Sequence, residues 1–206
     1  MEHSIIKDGL SYTLTDIEKD CWQRLLNGSL RSKDPLHNPV VANINDGLPV
    51  LRTVVLRKVI IAERKLFFHT DIRSVKWKAL ELNENISWLF YDSTARFQIR
   101  AAGKTALHHN DVIADTAWQN TAAASRKNYM GDEGPSQKSE APTSGLPEVF
   151  LERDPTLIES EQGRKNFGVV SSQITWLEWL WLNSKGHKKA VFNYNPNGFD
   201  ANWIIP

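Results

Sequence analysis

Apolar and polar positions along the chain keep two rhythms. Ile17, Cys21, Trp22, Leu25 and Leu26 recur at helical spacing behind a Thr15-to-Glu18 capping pattern, and Gly28 is the expected stop. From there the pattern turns to strands. "NPVVANIND" and "LPVLRTVVLRKVII" read as two strands around an Asp46-Gly47 hairpin turn, and "KLFFHT" as a third. Residues 74–84 predict a short helix capped by Ser74. "NISWLFYD" and "ARFQIRAAGKTAL" predict two more strands joined by a polar turn, and "NDVIADTAWQNTAAASRKNYM" a helix capped by Asn110. A further short helix is expected around "DPTLIESEQ". "NFGVVSSQITWLEWLWL", "KKAVFNYN" and "ANWIIP" close the chain as strands, the last two flanking a "PNG" turn.

That makes seven or eight strands and three or four helices, with strands mostly following one another through short turns. Such an order favours antiparallel pairing. A Rossmann layout would need alternating strands and helices and a Gly-rich fingerprint, and the chain has neither. The expected fold class is therefore mainly β: an antiparallel barrel with peripheral helices, in one domain spanning 1–206. Residues 131–148 are rich in Gly, Pro, Ser and charge, and predict a long loop that is either a functional lid or a disordered insertion.

Composition narrows the function. A net charge of only +1 argues against a nucleic-acid partner. No apolar run approaches the ~18 residues of a membrane span, and "MEHSIIKDGLSY" lacks the layout of a signal peptide. The lone Cys21 fits a reducing compartment, so a cytoplasmic protein is expected. His108-His109 has no partner at zinc spacing, and neither a Gly-x-Ser-x-Gly elbow nor a Walker loop occurs, so no metal is expected. Four of the eight tryptophans lie in the last 31 residues, which marks core or subunit interface.

The chemistry concentrates after the third strand. Arg73, Lys76 and Lys78 cluster where the helix after "KLFFHT" begins. A helix start already carries unpaired N–H groups and partial positive charge. Added cations and Ser74 leave two readings, a solvated surface turn or a bound anion such as phosphate. Arg52 and Arg57 sit inside a β-branched run, where charge is costly to bury unless paired. Their spacing of five puts them on opposite faces of a regular strand, so they grip one group only if a bulge intervenes. In "RFQIR", Gln98 shares a face with Arg96 and Arg100 and can both donate and accept, as reading a heterocycle edge requires.

The order "RTVVLR … LFFHTDIRSVKWKAL … NISWLFYD … RFQIRAAGK" resembles the pyridoxamine 5′-phosphate oxidase family of FMN-binding split barrels. The likeness covers roughly residues 40–110 and is weaker beyond. It implies an antiparallel split β-barrel, FMN as cofactor, and a homodimer with flavin at the subunit interface. By position, Arg52, Thr53, Val54, Val55, Leu56 and Arg57 would line the FMN, with Arg57 where the family has Lys. His69 and Thr70 would contact the flavin or its ribityl-phosphate tail, and Ser74 and Lys76 would hold the phosphate. Val75 stands where the family has Arg, so Arg73 is expected to supply that charge. Gln98 would meet the isoalloxazine edge. Trp179 or Trp181 would be the family's closing Trp, and His187, Lys188 and Lys189 would replace its Arg-Leu-His-Asp-Arg segment. Arg126, Tyr129 and His187 are the candidates for substrate contact. The resemblance implies oxidation of pyridoxamine or pyridoxine 5′-phosphate or a related small donor; a flavin reductase-like or non-catalytic flavin- or haem-binding protein of the same fold is the alternative.

Overall fold

The computed structural model describes residues 4–7 and 10–206. The opening stretch, read above against a leader, therefore lies partly outside them. A small hairpin, β1 (Ile5–Lys7) with β2 (Leu10–Tyr12), precedes helix α1 (Leu14–Leu30). The capping box is Thr13 with Asp16, two residues before the expected pair. Glu18, the expected partner of Thr15, is instead buried and accepts a hydrogen bond from the Tyr194 hydroxyl, so it belongs to the helix face that packs inward. Gly28 does not end the helix. It lies against Leu36, where a Cβ would sit 3.0 Å from the Leu36 Cβ, and the missing side chain lets the following loop pack close.

β3 (Val40–Asn45) and β4 (Leu48–Thr53) form the expected hairpin, with Asp46 and Gly47 both at positive φ as the tight turn demands. The long strand expected over residues 48–61 is broken. Val54 N–H donates to Pro39, Leu56 N–H to His37 and Arg57 N–H to Phe67, so residues 54–57 carry the chain from one sheet edge to another. β5 (Lys58–Ile60) then pairs with β6 (Lys65–Asp71), and α2 (Val75–Leu82) follows with Ser74 as its cap. β7 (Asn85–Asp92) and β8 (Phe97–His108) complete the first half.

The single helix expected at 110–130 is three pieces: α3 (Val112–Gln119), capped by Asp111 rather than Asn110, then α4 (Ala123–Arg126) and a 3₁₀ turn at Lys127–Tyr129. The break has a cause. The Asn120 amide donates to the Thr116 carbonyl, Thr121 Oγ1 to Ala117, and the Arg126 guanidinium to the Trp118 and Thr121 carbonyls, so side chains take the bonds that continued helix would use. Residues 131–147 form the expected loop. Then come α5 (Leu157–Ser160), β9 (Phe167–Trp181), β10 (Lys188–Asn195) and β11 (Gly198–Ile204).

Nine of these strands make one antiparallel sheet, in the order β11-β10-β9-β8-β7-β3-β4, with β6 also on β9 and β5 on β6. It does not close, as a split barrel requires. The split arises on β9. One edge pairs with β8 throughout, while the other pairs with β6 over Phe167–Gln173 and with β10 over Trp176–Trp181. The register shifts between Ala102 and Gly103 where this handover occurs. The main core, including Trp22, Phe68, Trp88, Phe97, Ile99 and Phe192, fills the barrel; a smaller cluster of Phe67, Trp118, Tyr129, Phe167 and Val169 lies outside it, beneath α3.

A Cβ on Gly103 would stand 1.9 Å from the Gln173 carbonyl oxygen. The contact is with backbone, which cannot swing away. Gly103→Ala is expected to cost about 3 kcal/mol or more in chemical denaturation, at the upper end for overpacking; a loss under about 1 kcal/mol would show that the handover tolerates a side chain.

Candidate functional site

Two cations meet beside the start of α2. The Lys76 ammonium lies 5.2 Å from the centre of the Phe68 ring. It makes no hydrogen bond or ion pair with another described residue. Burial, then the nearby positive charge of Arg52, brings its pKa down to about 8, against a smaller pull from Asp71. Arg52 projects from the core side of β4, where its guanidinium donates to the buried Asn43 side chain, and burial lowers its pKa too. Ser74 caps α2 and its hydroxyl lies 3.4 Å from that of Thr70. The site therefore offers two cations short of counter-charge, two hydroxyls and a helix start. That donor set fits the phosphate end of FMN.

Arg73 does not supply the charge missing at Val75. Its guanidinium takes both oxygens of Asp71, at 2.7–3.3 Å, and the carbonyls of Gly131 and Asp132. Its role is twofold: it occupies Asp71, which among the described residues is the acidic group that acts on Lys76, and it ties the start of the 131–148 loop to α2.

Consecutive residues of a strand face opposite ways, and this divides the expected flavin contacts. Thr70 faces Ser74, whereas His69 faces the outer cluster, with its ring 4.8 Å from that of Phe167. Burial, with Arg57 adding to it, pushes the His69 pKa down to about 3, so the ring is neutral; its Nδ1 is buried without a hydrogen-bond partner. Arg57 is exposed, and with His69 it lines a groove of ≈ 700 Å³ between the sheet and α3. The break at residues 54–57 thus leaves Arg52 and Arg57 at separate places. Between them Val54 and Leu56 are buried in the main core, and Thr53 is exposed.

Gln98 lies on the outer sheet face, opposite Tyr91 on β7 and Leu180 on β9; Lys189 stands opposite Leu180 on the next strand. The Lys189 ammonium is 3.0 Å from the buried Glu178 carboxylate, which also meets Arg100 at 3.3 Å. Trp179, by contrast, points inward and is buried in the core, so it is a packing residue, not a surface contact. Arg126 is also withdrawn: it is buried, ion-paired with Glu161 at 2.6 Å and bonded to helix carbonyls, and cannot grip a substrate. Tyr129 is buried against Phe167 and Trp118, and burial pushes its pKa up to about 12. His187 is exposed beside Lys188 in a shallow depression under Trp203. Asn43 and Glu178 were missed. Asn43 stands between Ala42 and Ile44, and Glu178 is the one charged residue of β9, a signal of the kind that drew attention to Arg52.

Lys76 is protonated in the unfolded chain up to about 10.5 and in the folded chain only up to about 8. Between these values the unfolded state binds more protons, so stability rises with pH; below 8 the full cost of burying the ammonium remains. Lys76→Met is therefore expected to stabilise flavin-free protein at pH 7 by about 1–3 kcal/mol and to flatten the rise above pH 8. Thermal melts across pH 7–10.5 measure both effects.

Residues 19–109 match the family model described as pyridoxamine 5′-phosphate oxidase, FMN-binding domain. No curated protein matches the chain. Among solved structures, it is similar to a pyridoxamine 5′-phosphate oxidase-related, FMN binding protein from Nostoc punctiforme, at 21% identity over 91% of this chain and 97% of that one, with a TM-score of 0.72. It is also similar to PhzG from Burkholderia lata, in complex with tetrahydrophenazine-1-carboxylic acid, at 14% identity over 91% of each chain and a TM-score of 0.68. Residues 19–109 are thus similar to the FMN-binding domain of the pyridoxamine 5′-phosphate oxidase family, and the split barrel built around them is the fold of these solved structures.

Proposed function

We propose that the protein is an FMN-dependent oxidoreductase acting on a small organic donor as a homodimer. The observation that carries this reading is the pair of partly buried cations at Arg52 and Lys76, neither with a carboxylate partner among the described residues. A buried charge without a partner is expensive unless a ligand completes it. FMN brings a dianionic phosphate of matching charge. In this assignment Lys76 and Arg52 hold the phosphate, with Ser74 and Thr70 contributing hydroxyls. Bound flavin would supply two-electron redox chemistry.

The dimer follows from which way the strands face. Arg52 shares the core face of the sheet with Val41 and Trp88, while Gln98 shares the outer face with Tyr91 and Leu180. One chain cannot direct both at one flavin without crossing its own sheet. A second copy can offer its Gln98 and Lys189 to the flavin whose phosphate the first copy holds. The outer face is suited to such contact: Leu51, Leu89 and Tyr91 are exposed on neighbouring strands. Gln98 would then hydrogen-bond the ring, with Lys189 held beside it by its ion pair to Glu178. Pyridoxamine 5′-phosphate is disfavoured as donor, because Arg126 is spent inside the fold.

Purified protein is expected to be yellow and to release FMN on denaturation. Lys76→Ala should weaken FMN binding by ~1.5–3 kcal/mol, as for loss of a charge-assisted hydrogen bond; an unchanged titration removes Lys76 from the site. Gln98→Leu should shift the flavin potential more than the affinity. Mixing Lys76→Ala and Gln98→Leu chains tests shared sites directly: the mixed dimer should recover one unaltered site per two chains, and no recovery would place both residues on the same flavin within one chain.

A further inference from the structure

Three polar side chains at the start of α3 form a hydrogen-bonded chain that the anion site does not use. Ser171 lies on β9, His108 ends β8 and Asp111 caps α3. Ser171 Oγ is 2.9 Å from His108 Nε2, and His108 Nδ1 is 2.7 Å from Asp111 Oδ2. The sheet register explains the meeting. Ser171 stands opposite Ala106 and His108 opposite Val169, so both side chains leave one face of the sheet as diagonal neighbours. The chain then turns from β8 into α3 and brings the capping carboxylate to the imidazole.

The protons can be assigned. Asp111 accepts the Ala114 N–H as helix cap. Burial works against its charge, but that N–H and His108 outweigh it and hold the carboxyl below its usual value. An ionised carboxylate only accepts, so Nδ1 carries the hydrogen and Nε2 keeps a lone pair for the Ser171 hydroxyl. The other acceptor of that hydroxyl, the Ala106 carbonyl, is farther away at 3.4 Å. Asp115, also in the first turn of α3, is held by Arg164 at 2.6 Å. Ser171 is buried, which limits competition from water, while Asp111 reaches solvent. A hydroxyl on a base whose second nitrogen is fixed by a carboxylate is how serine becomes a nucleophile.

The surroundings define the electrophile. Ser171 sits mid-strand between Phe67 and Ala106, and the ladders on both sides engage the backbone that would otherwise offer N–H groups to an oxyanion. Activated esters need less of that help than amides. Phe67, opposite Ser171, and Val112, next to Asp111, also line the groove beneath α3, so the approach is apolar and suits an uncharged acyl chain.

We propose that Ser171, His108 and Asp111 form a nucleophilic site that takes the acyl group of a small, uncharged, activated ester. Ser171 Oγ bonds to the carbonyl carbon and passes its proton to His108 Nε2. The bond from that carbon to the leaving oxygen breaks, and the proton goes to the departing alcohol. Water then cleaves the acyl-serine ester, releasing the acid and restoring the hydroxyl. No flavin takes part, so this activity is separate from the redox function proposed above.

Labelling of the protein as purified with a fluorophosphonate tests it. One group per chain should attach, at Ser171 by peptide mass, and heat-unfolded protein should remain unlabelled. Ser171→Ala should abolish labelling, His108→Gln should slow it at least hundredfold and Asp111→Asn at least tenfold. Asparagine caps a helix as well as aspartate, so the last variant removes the carboxylate and keeps α3 in place, which an unchanged melting temperature checks. Acidification should slow labelling of the unaltered protein, because protonated Nε2 has no lone pair to offer. No label, label at another residue, or Ser171 labelled at an unchanged rate in His108→Gln or Asp111→Asn would each overturn the proposal and leave the three side chains as a clamp between α3 and the sheet.

Discussion

One strand serving two neighbours on the same edge governs this fold. β9 gives its first half to β6 and its second half to β10, while β8 holds the other edge throughout. The handover demands close backbone approach at Gly103, where a Cβ has no room. Its consequence is spatial. β6 delivers Thr70 and Asp71 to one flank of the sheet, with Ser74 following at the start of α2, and β10 delivers Lys189 to the row that contains Gln98. An unsplit sheet would not present both.

The cations beside α2 depart from ordinary packing. Burial and mutual repulsion both act against the charge on Lys76, and Asp71, the acidic group that opposes them, is committed to Arg73. Were Asp71 free to turn to Lys76, the ammonium would be satisfied internally and the site would lose its appetite for an anion. Arg73 thus influences the site without being a ligand to it, through its hold on Asp71. Its bonds to Gly131 and Asp132 extend that hold to the long loop, joining the start of the loop to the start of α2 through one guanidinium.

Much of the local structure was legible in the sequence. The Asp46-Gly47 turn, the Ser74 cap and the terminal strands follow from turn chemistry and side-chain period, which act over a few residues. The cluster at Ser74 and Lys76 was legible for the same reason. Helix and strand breaks were not. Residues 54–57 fit the surrounding period, but their backbone bonds go to groups that only folding brings near, such as Pro39 and His37, while at 120–121 side-chain bonds to the preceding turn compete with the helix that the period predicts. Arg73, Arg126 and Trp179 looked like ligand contacts because residue type suggests chemistry, yet burial and partners decide whether that chemistry is free to act.

The sequence by itself determined the antiparallel class, the order of the motifs and the presence of a cationic helix start after β6, since each is set by neighbours along the chain. Tertiary structure alone decided which cations are left without counter-charge and which faces of the sheet they occupy. Among the described residues, Arg52 and Lys76 meet no carboxylate, while Arg73, Arg126 and Lys189 meet Asp71, Glu161 and Glu178. The physical reason is that charge compensation depends on distance and burial, and residues as far apart as Arg52 and Lys76 acquire both only when the strand and the helix that carry them pack together.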